Sequence, residues 1–308
     1  MNVKKLVVGA MLVIVGLPVA LILTVVVSVA VLDRSNGTIV SSGRPRSYLL
    51  YVPPSYDRAK PTPLVISLHG AAGWPAQQMN LSRWNRLAET QGFIVVYPSG
   101  SDVPKVWHVD RGGGLMHDVT FISALIDTLE AAYNIDRTRI YANGMSIGGG
   151  MAFVLSCTLS DRIAAVGMVS AAQSLAASWC TDPRPVPMIE FHGAADPIVP
   201  YGGGPLRDPF NPATVMFPAV RDWVASWARR NRCGTNPVES AVAADVSRIE
   251  YTHCAQDAAV VLYTIRGGGH SWPGGKPLPQ WWVGPTSRSV DATSEMWAFF
   301  RAHPLRGN

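Results

Sequence analysis

Gly144-Met145-Ser146-Ile147-Gly148 sets a serine between glycines, directly after the β-prone run Arg139–Ala142 and before a helix-prone run that begins at Ile147. The pentapeptide alone is a weak signal. Its setting is what a nucleophile elbow needs: the glycines permit a sharp turn that lifts a serine hydroxyl clear of a sheet, and the N–H of Ile147, at a helix start, points toward a developing oxyanion. A serine hydroxyl is a poor nucleophile at neutral pH without a base, and an imidazole base needs a carboxylate to fix its tautomer. Downstream of Ser146 lie His192, His253, His270 and His303. His270 follows the β-prone run Val260–Ile265 and three glycines, so its loop can bring an imidazole over the elbow. His192 reads as structural, and His253, beside Cys254, as a surface residue in an edge strand. Asp196 follows the run Met188–Phe191 by five residues and precedes Pro197, which stiffens its loop. The expected catalytic set is Ser146, Asp196 and His270, in that chain order.

A second oxyanion donor is expected from His69-Gly70-Ala71-Ala72-Gly73, after the run Leu64–Leu68, with the N–H of Ala71 first and that of Ala72 as the alternative. Trp74, Trp107, Trp272, Trp281 and Trp282 fall in loops near the same edge. Trp74 and Trp272 are the candidates to line an acyl or aryl pocket; the other reading is that such residues cover the ends of the sheet. Trp223, Trp227 and Trp297, inside amphipathic helices, read as packing residues. His108, Asp110, His117 and Asp118 make a metal site by count, but read better as a polar loop in which Asp118 caps the next helix. No metal and no cofactor are expected.

The elements that must position these residues alternate. Ser47–Val52, Leu64–Leu68, Phe93–Tyr97, Arg139–Ala142, Ala164–Val169, Met188–Phe191 and Val260–Ile265 read as strands. Leu81–Thr90, Asp118–Tyr133, Ile147–Leu159, Ala219–Arg230 and Ser289–Phe300 read as helices. Such alternation predicts an α/β fold with a mostly parallel sheet covered by helices on both faces, whose functional loops gather at the carboxyl ends of the strands. The chain has 308 residues, 15% charged and 48% apolar, against a charged share of about 25% in typical soluble domains, which argues against disorder. The net charge is +5, two units of it from Lys4 and Lys5, too little to suggest a nucleic-acid partner.

From Leu6 to Leu32 the chain runs 27 residues without a charge. As a helix this run would span roughly 40 Å, more than the ~30 Å hydrocarbon core, so residues 1–32 read as a transmembrane anchor or, with cleavage after Ser28-Val29-Ala30, as a signal sequence. Either way the remainder is exported, with residues 33–45 a polar tether and 46–308 the catalytic domain. The four cysteines, Cys157, Cys180, Cys233 and Cys254, fit two disulfides in such a compartment, with three connectivities open.

Four loops, HGAAG at 69–73, GMSIGG at 144–149, HGAADPIVPYGG at 192–203 and GGGHSWPG at 267–274, occur in that order. With them the chain resembles the polyhydroxybutyrate depolymerase and feruloyl esterase family of α/β-hydrolases over about residues 46–303. The resemblance implies a secreted serine esterase whose triad falls on Ser146, Asp196 and His270. It also implies a Cys233–Cys254 bridge, leaving Cys157 to pair with Cys180 unless Cys157 is a buried free thiol. The expected partner is an ester: a small molecule, a polysaccharide-linked acyl group or a polyester. Two other functions use the same residues differently, an envelope acyltransferase and a non-catalytic binding module on the hydrolase fold.

Overall fold

Leu64-Val65-Ile66-Ser67-Leu68 is buried at every position, and its side chains alternate between two cores: Leu64, Ile66 and Leu68 enter one, Val65 the other. This is the pattern of a central strand covered on both faces, where each fully buried aliphatic side chain contributes about 1.5–3 kcal/mol. The structure is a computed structural model and describes residues 34–110, 112–181, 184–206 and 216–306. The chain divides into two units, 1–34 and 35–308, and only the second is described below. The expected apolar segment, 1–32, lies outside the described residues; among those described, no helix is long and apolar enough to cross a membrane.

The strands are β1 (Gly37–Ser41), β2 (Arg44–Tyr51), β3 (Thr62–Leu68), β4 (Ile94–Pro98), β5 (Ile135–Met145), β6 (Ala165–Val169), β7 (Met188–Gly193), β8 (Gly204–Pro205), β9 (Met216–Phe217), β10 (Val238–Ala243), β11 (Val246–Tyr251) and β12 (Val260–Ile265). Ten of them form one sheet in the order β1-β2-β4-β3-β5-β6-β7-β12-β11-β10, while β8 and β9 pair separately. From β4 to β12 every pairing is parallel, and antiparallel hairpins close both edges. Helices Leu115–Ala132, Ile147–Thr158 and Val220–Arg230 cover one face; Trp84–Gln91 and Ala292–Ala302 cover the other. The expected α/β architecture is the one observed. Trp223, Trp227 and Trp297 are buried in these helix–sheet contacts.

Two expectations need correction. The polar stretch 33–45 is not a plain tether, because residues 37–45 build the β1–β2 edge hairpin, turned by Ser42 and Gly43 at φ 51° and 72°. Two consecutive positive-φ residues are what a tight two-residue hairpin requires. The helix expected over Leu81–Thr90 is two helices, Pro75–Ser82 and Trp84–Gln91, parted at Arg83 (φ 59°). Its interruption is tertiary in origin: the carbonyls of Leu81 and Ser82 accept from Lys276 N–H and Thr293 Oγ1, and Arg83 reaches the Gly274 carbonyl. The polar stretch between Cys233 and Cys254 carries the β10–β11 hairpin, which extends the sheet beyond β12.

Candidate active site

β5 ends at Met145, and the chain reverses at Ser146, held at φ 57° and ψ −123°. A non-glycine residue in that region costs of order 1–3 kcal/mol and persists only where its surroundings over-determine it. Here Ser146 N–H donates to Val169 O at 2.9 Å, and Ser146 O accepts from Ala172 N–H at 2.9 Å and Gly150 N–H at 3.1 Å. Gly148 lets the new helix close on β3: a Cβ there would lie 2.4 Å from the Leu68 carbonyl oxygen. Beneath the turn, buried Asn143 Oδ1 accepts from Ser67 Oγ and from Trp84 Nε1, at 2.8 and 3.0 Å, and Gln78 donates to Ser67. The elbow therefore rests on a satisfied polar network, which resists reorganisation.

Asp196 follows β7 and His270 follows β12, neighbouring parallel strands whose carboxyl ends lie beside that of β6 and so near the elbow. Asp196 Oδ2 accepts from His270 Nδ1 at 2.8 Å, with both side chains nearly or wholly buried. Asp196 Oδ1 accepts from the N–H groups of Ile198 and Val199, both at 2.8 Å, which orients the carboxylate. Burial pushes this carboxyl up, but the charge and hydrogen bond of His270, then the charge of His192 and the Ile198 N–H, outweigh it and hold it below the usual range. Nε2 is the ring nitrogen of His270 that remains for a substrate-side proton. Ser146 Oγ makes no hydrogen bond among the described residues; such contacts commonly tighten only with substrate.

The His270 loop is pinned from behind by segment 280–285, which the sequence did not suggest. His270 N–H donates to Val283 O at 2.6 Å, Gly269 N–H to Pro285 O at 2.8 Å and Ser271 Oγ to Pro285 O at 3.1 Å. Glycine is required at 269, since a Cβ there would sit 2.1 Å from the Val283 oxygen.

Gly70 lies against the elbow: a Cβ on it would fall 3.6 Å from that of Ser146. In its loop the N–H of Ala72 is taken by Lys105 O at 2.8 Å, whereas those of Ala71 and Ile147 meet no backbone carbonyl among the described residues. Ala71 is an exposed residue. The supporting loop 99–109 is held by Asp118, which does not cap its helix as expected. It is fully buried and accepts from Arg46 Nη2, Ser101 Oγ and the backbone and ring of His108. Asp118 is thus the hub under the loop that presents Lys105 O to Ala72.

Trp272 lines no pocket. It is fully buried, donates to Thr293 Oγ1 at 2.9 Å and packs in the core that also holds Trp84 and Phe300. Trp107 is likewise buried and donates to His69 O. Of the loop tryptophans, Trp74 is half-buried and Trp281 and Trp282 are 88% and 44% exposed, so these three present surface to solvent. The cysteines are joined as Cys157–Cys180 and Cys233–Cys254.

Residues 46–179 match the protein family described as esterase PHB depolymerase. Feruloyl esterase B of Piromyces equi is 30% identical over 75% of this chain and 44% of its own length. Over residues 46–179 the chain is therefore similar to the esterase PHB depolymerase family, and over a longer stretch to feruloyl esterases. Feruloyl esterase C of Emericella nidulans is 28% identical over 87% of each chain. The chain spans less than half the length of the Piromyces protein. In fold, the chain aligns with the acetyl xylan esterase of Aspergillus awamori at a TM-score of 0.56, with 17% identity, over 73% of this chain and 89% of that one.

Proposed function

We propose that this protein is a serine carboxylic-ester hydrolase. The observation that carries the reading is the buried Asp196–His270 bond of 2.8 Å, delivered by loops that flank a strained serine elbow. Ser146 Oγ attacks the ester carbonyl carbon while its proton passes to His270 Nε2, and the carbonyl oxygen becomes an oxyanion facing the Ala71 and Ile147 N–H groups. Collapse breaks the bond to the alcohol oxygen, which takes the proton from His270. Water then attacks the acyl-serine, gives its proton to the same nitrogen, and the acid leaves as Ser146 regains its hydrogen.

The acyl groups named by the relatives, feruloyl and acetyl on xylan, support esters of this kind as substrates, with short-chain and hydroxyalkanoate esters as the comparison set. Residues 1–32 serve in this reading as an anchor or signal that exports the enzyme, to which two disulfides are suited. The test is a hydrolysis panel on the full chain: p-nitrophenyl esters of rising chain length, methyl ferulate, acetylated xylan and a hydroxybutyrate oligomer. Ser146→Ala should abolish turnover on every active substrate. Residual turnover above about 1% of wild type, well beyond what a triad deletion leaves, overturns the assignment. Ester product on adding an alcohol acceptor, without free acid, would make the enzyme a transferase.

A further inference from the structure

Glu190 and His192 are two residues apart on β7, project to the same side and are entirely buried. Glu190 Oε1 lies 3.0 Å from His192 Nδ1, and Gln173 Nε2 donates to both carboxylate oxygens, at 3.1 and 2.9 Å. His192 Nε2 lies 3.0 Å from the Val199 carbonyl oxygen and 3.6 Å from Asp196 Oδ2, the oxygen that accepts from His270. A carbonyl only accepts, so Nε2 bears a proton; an ionised carboxylate only accepts, so Nδ1 bears the other. Burying an ion pair in a sheet is costly in desolvation, and an apolar pair of similar volume would stabilise the strand as well or better. The arrangement makes physical sense through what it does to Asp196.

The geometry points to Glu190 and His192 as a positioning pair for catalysis: a cationic His192, clamped between Glu190 and the Val199 carbonyl, that keeps Asp196 ionised with Oδ2 turned to His270. It rests on the reading of Asp196 and His270 as the acid–base couple. Ile198 and Val199 already hold Oδ1, so the charge of His192 beside Oδ2 adds to that of His270 in keeping this buried carboxyl a carboxylate. The same cation opposes the imidazolium that forms when His270 takes the serine proton, and so favours its return to the leaving alcohol. Burial alone would push the His192 value down; the hydrogen bond and charge of Glu190, the charge of Asp196 and the Val199 carbonyl raise it overall. The Tyr201 ring meets His192 at 5.9 Å with its hydroxyl bonded to Thr264 Oγ1, and Thr264 is opposite His192 on β12. Neither is charged at neutral pH. Among the described residues the ionic surroundings of His192 are therefore Glu190, Asp196 and, through Asp196, His270.

The test uses the full chain with ¹⁵N-labelled histidine, His192 being assigned by its loss in His192→Gln. Ring-nitrogen NMR is followed against pH in wild type and in Glu190→Gln, with kcat/KM measured on the same samples. Wild type should show both His192 nitrogens protonated at pH 6. In Glu190→Gln, His192 should lose one proton, and the His270 titration and the acid limb of kcat/KM should move up together by on the order of one pH unit. Turnover should fall about tenfold or more with KM within about twofold, the split expected of an effect confined to the chemical step. A singly protonated His192 in wild type at pH 6, or an unmoved His270 titration in a folded Glu190→Gln, overturns the proposal. Should Glu190→Gln not fold, the wild-type state of His192 decides. Failure here leaves ester hydrolysis standing, whereas activity persisting in Ser146→Ala would remove the esterase reading without touching the NMR result.

Discussion

His69 Nδ1 donates to the carbonyl oxygen of Gly70 at 2.7 Å, a bond from the ring to the peptide that follows it. Its Nε2 accepts from Gly100 N–H at 2.9 Å, which assigns the neutral tautomer with the proton on Nδ1. A trans peptide is planar, so turning the Gly70 carbonyl toward the ring sends the Ala71 N–H the opposite way. His69→Phe keeps the bulk against Trp107 but loses both bonds. It should lower kcat by about 10²-fold with little change in KM, the signature of a misaligned oxyanion donor. Steady-state kinetics on a variant that retains its near-UV circular dichroism checks this; an unchanged kcat would mean that Ala71 is oriented without the ring.

Asp196→Asn should reduce kcat by about 10⁴-fold, because an amide no longer fixes the tautomer in which His270 Nε2 can accept a proton. A loss under tenfold would move the acid elsewhere.

Folding stability should fall at both ends of the pH range. Asp196 is held below its ordinary value, so its contribution is complete above the unfolded carboxyl value of about 3.9 and vanishes as pH falls through the lower folded one. His192 is raised, so its contribution is complete below about 6.5 and is lost as pH climbs through the higher folded value. The difference in Tm between wild type and His192→Gln should therefore be largest near pH 5–6 and shrink above pH 7. Calorimetry across that range tests the sign, and a difference that grows with pH contradicts it.

Removing the Cys233–Cys254 bridge by Cys233→Ala with Cys254→Ala opens a loop with a sequence separation of 21. The chain-entropy estimate is about 3 kcal/mol, equivalent to a fall in Tm of roughly 6–12 °C. The bridge joins the end of helix Val220–Arg230 to the end of β11, which pairs with the strand leading to His270. At temperatures well below the new midpoint kcat should be preserved. Non-reducing peptide mapping of wild type should recover the Cys233–Cys254 and Cys157–Cys180 peptides; any crossed pairing refutes the arrangement.

Trp272→Phe loses the bond to Thr293 and part of a buried indole, and should lower stability by about 1–3 kcal/mol without raising KM. Trp281→Ala, at an 88% exposed site, should leave Tm within about a degree. Were Trp272→Phe to raise KM severalfold at unchanged Tm, that residue would be a substrate contact after all.

Motifs and periodicity are local, and what they encode was readable from the chain alone. Ser146 lies between a strand and a helix because five consecutive residues make that turn, and Leu64–Leu68 lies in a doubly covered sheet because it has no polar alternation. Asp196 and His270, each placed after such a run, are the two residues that the fold joins by a hydrogen bond. Tertiary structure decided everything that depended on a donor or acceptor distant in sequence. Residues 37–45 look like a tether until β2 pairs with them, and Leu81–Thr90 reads as one helix until Lys276 and Thr293 take its carbonyls. Trp272 sits two residues from His270 yet turns into the core, because Thr293, 21 positions on, accepts its N–H. Asp118 and the Glu190–His192 pair carry ordinary residue types in ordinary contexts. Their roles come from full burial opposite Arg46, His108 and Asp196, and burial of a charge beside a chosen partner is a property of the packed chain rather than of any window along it.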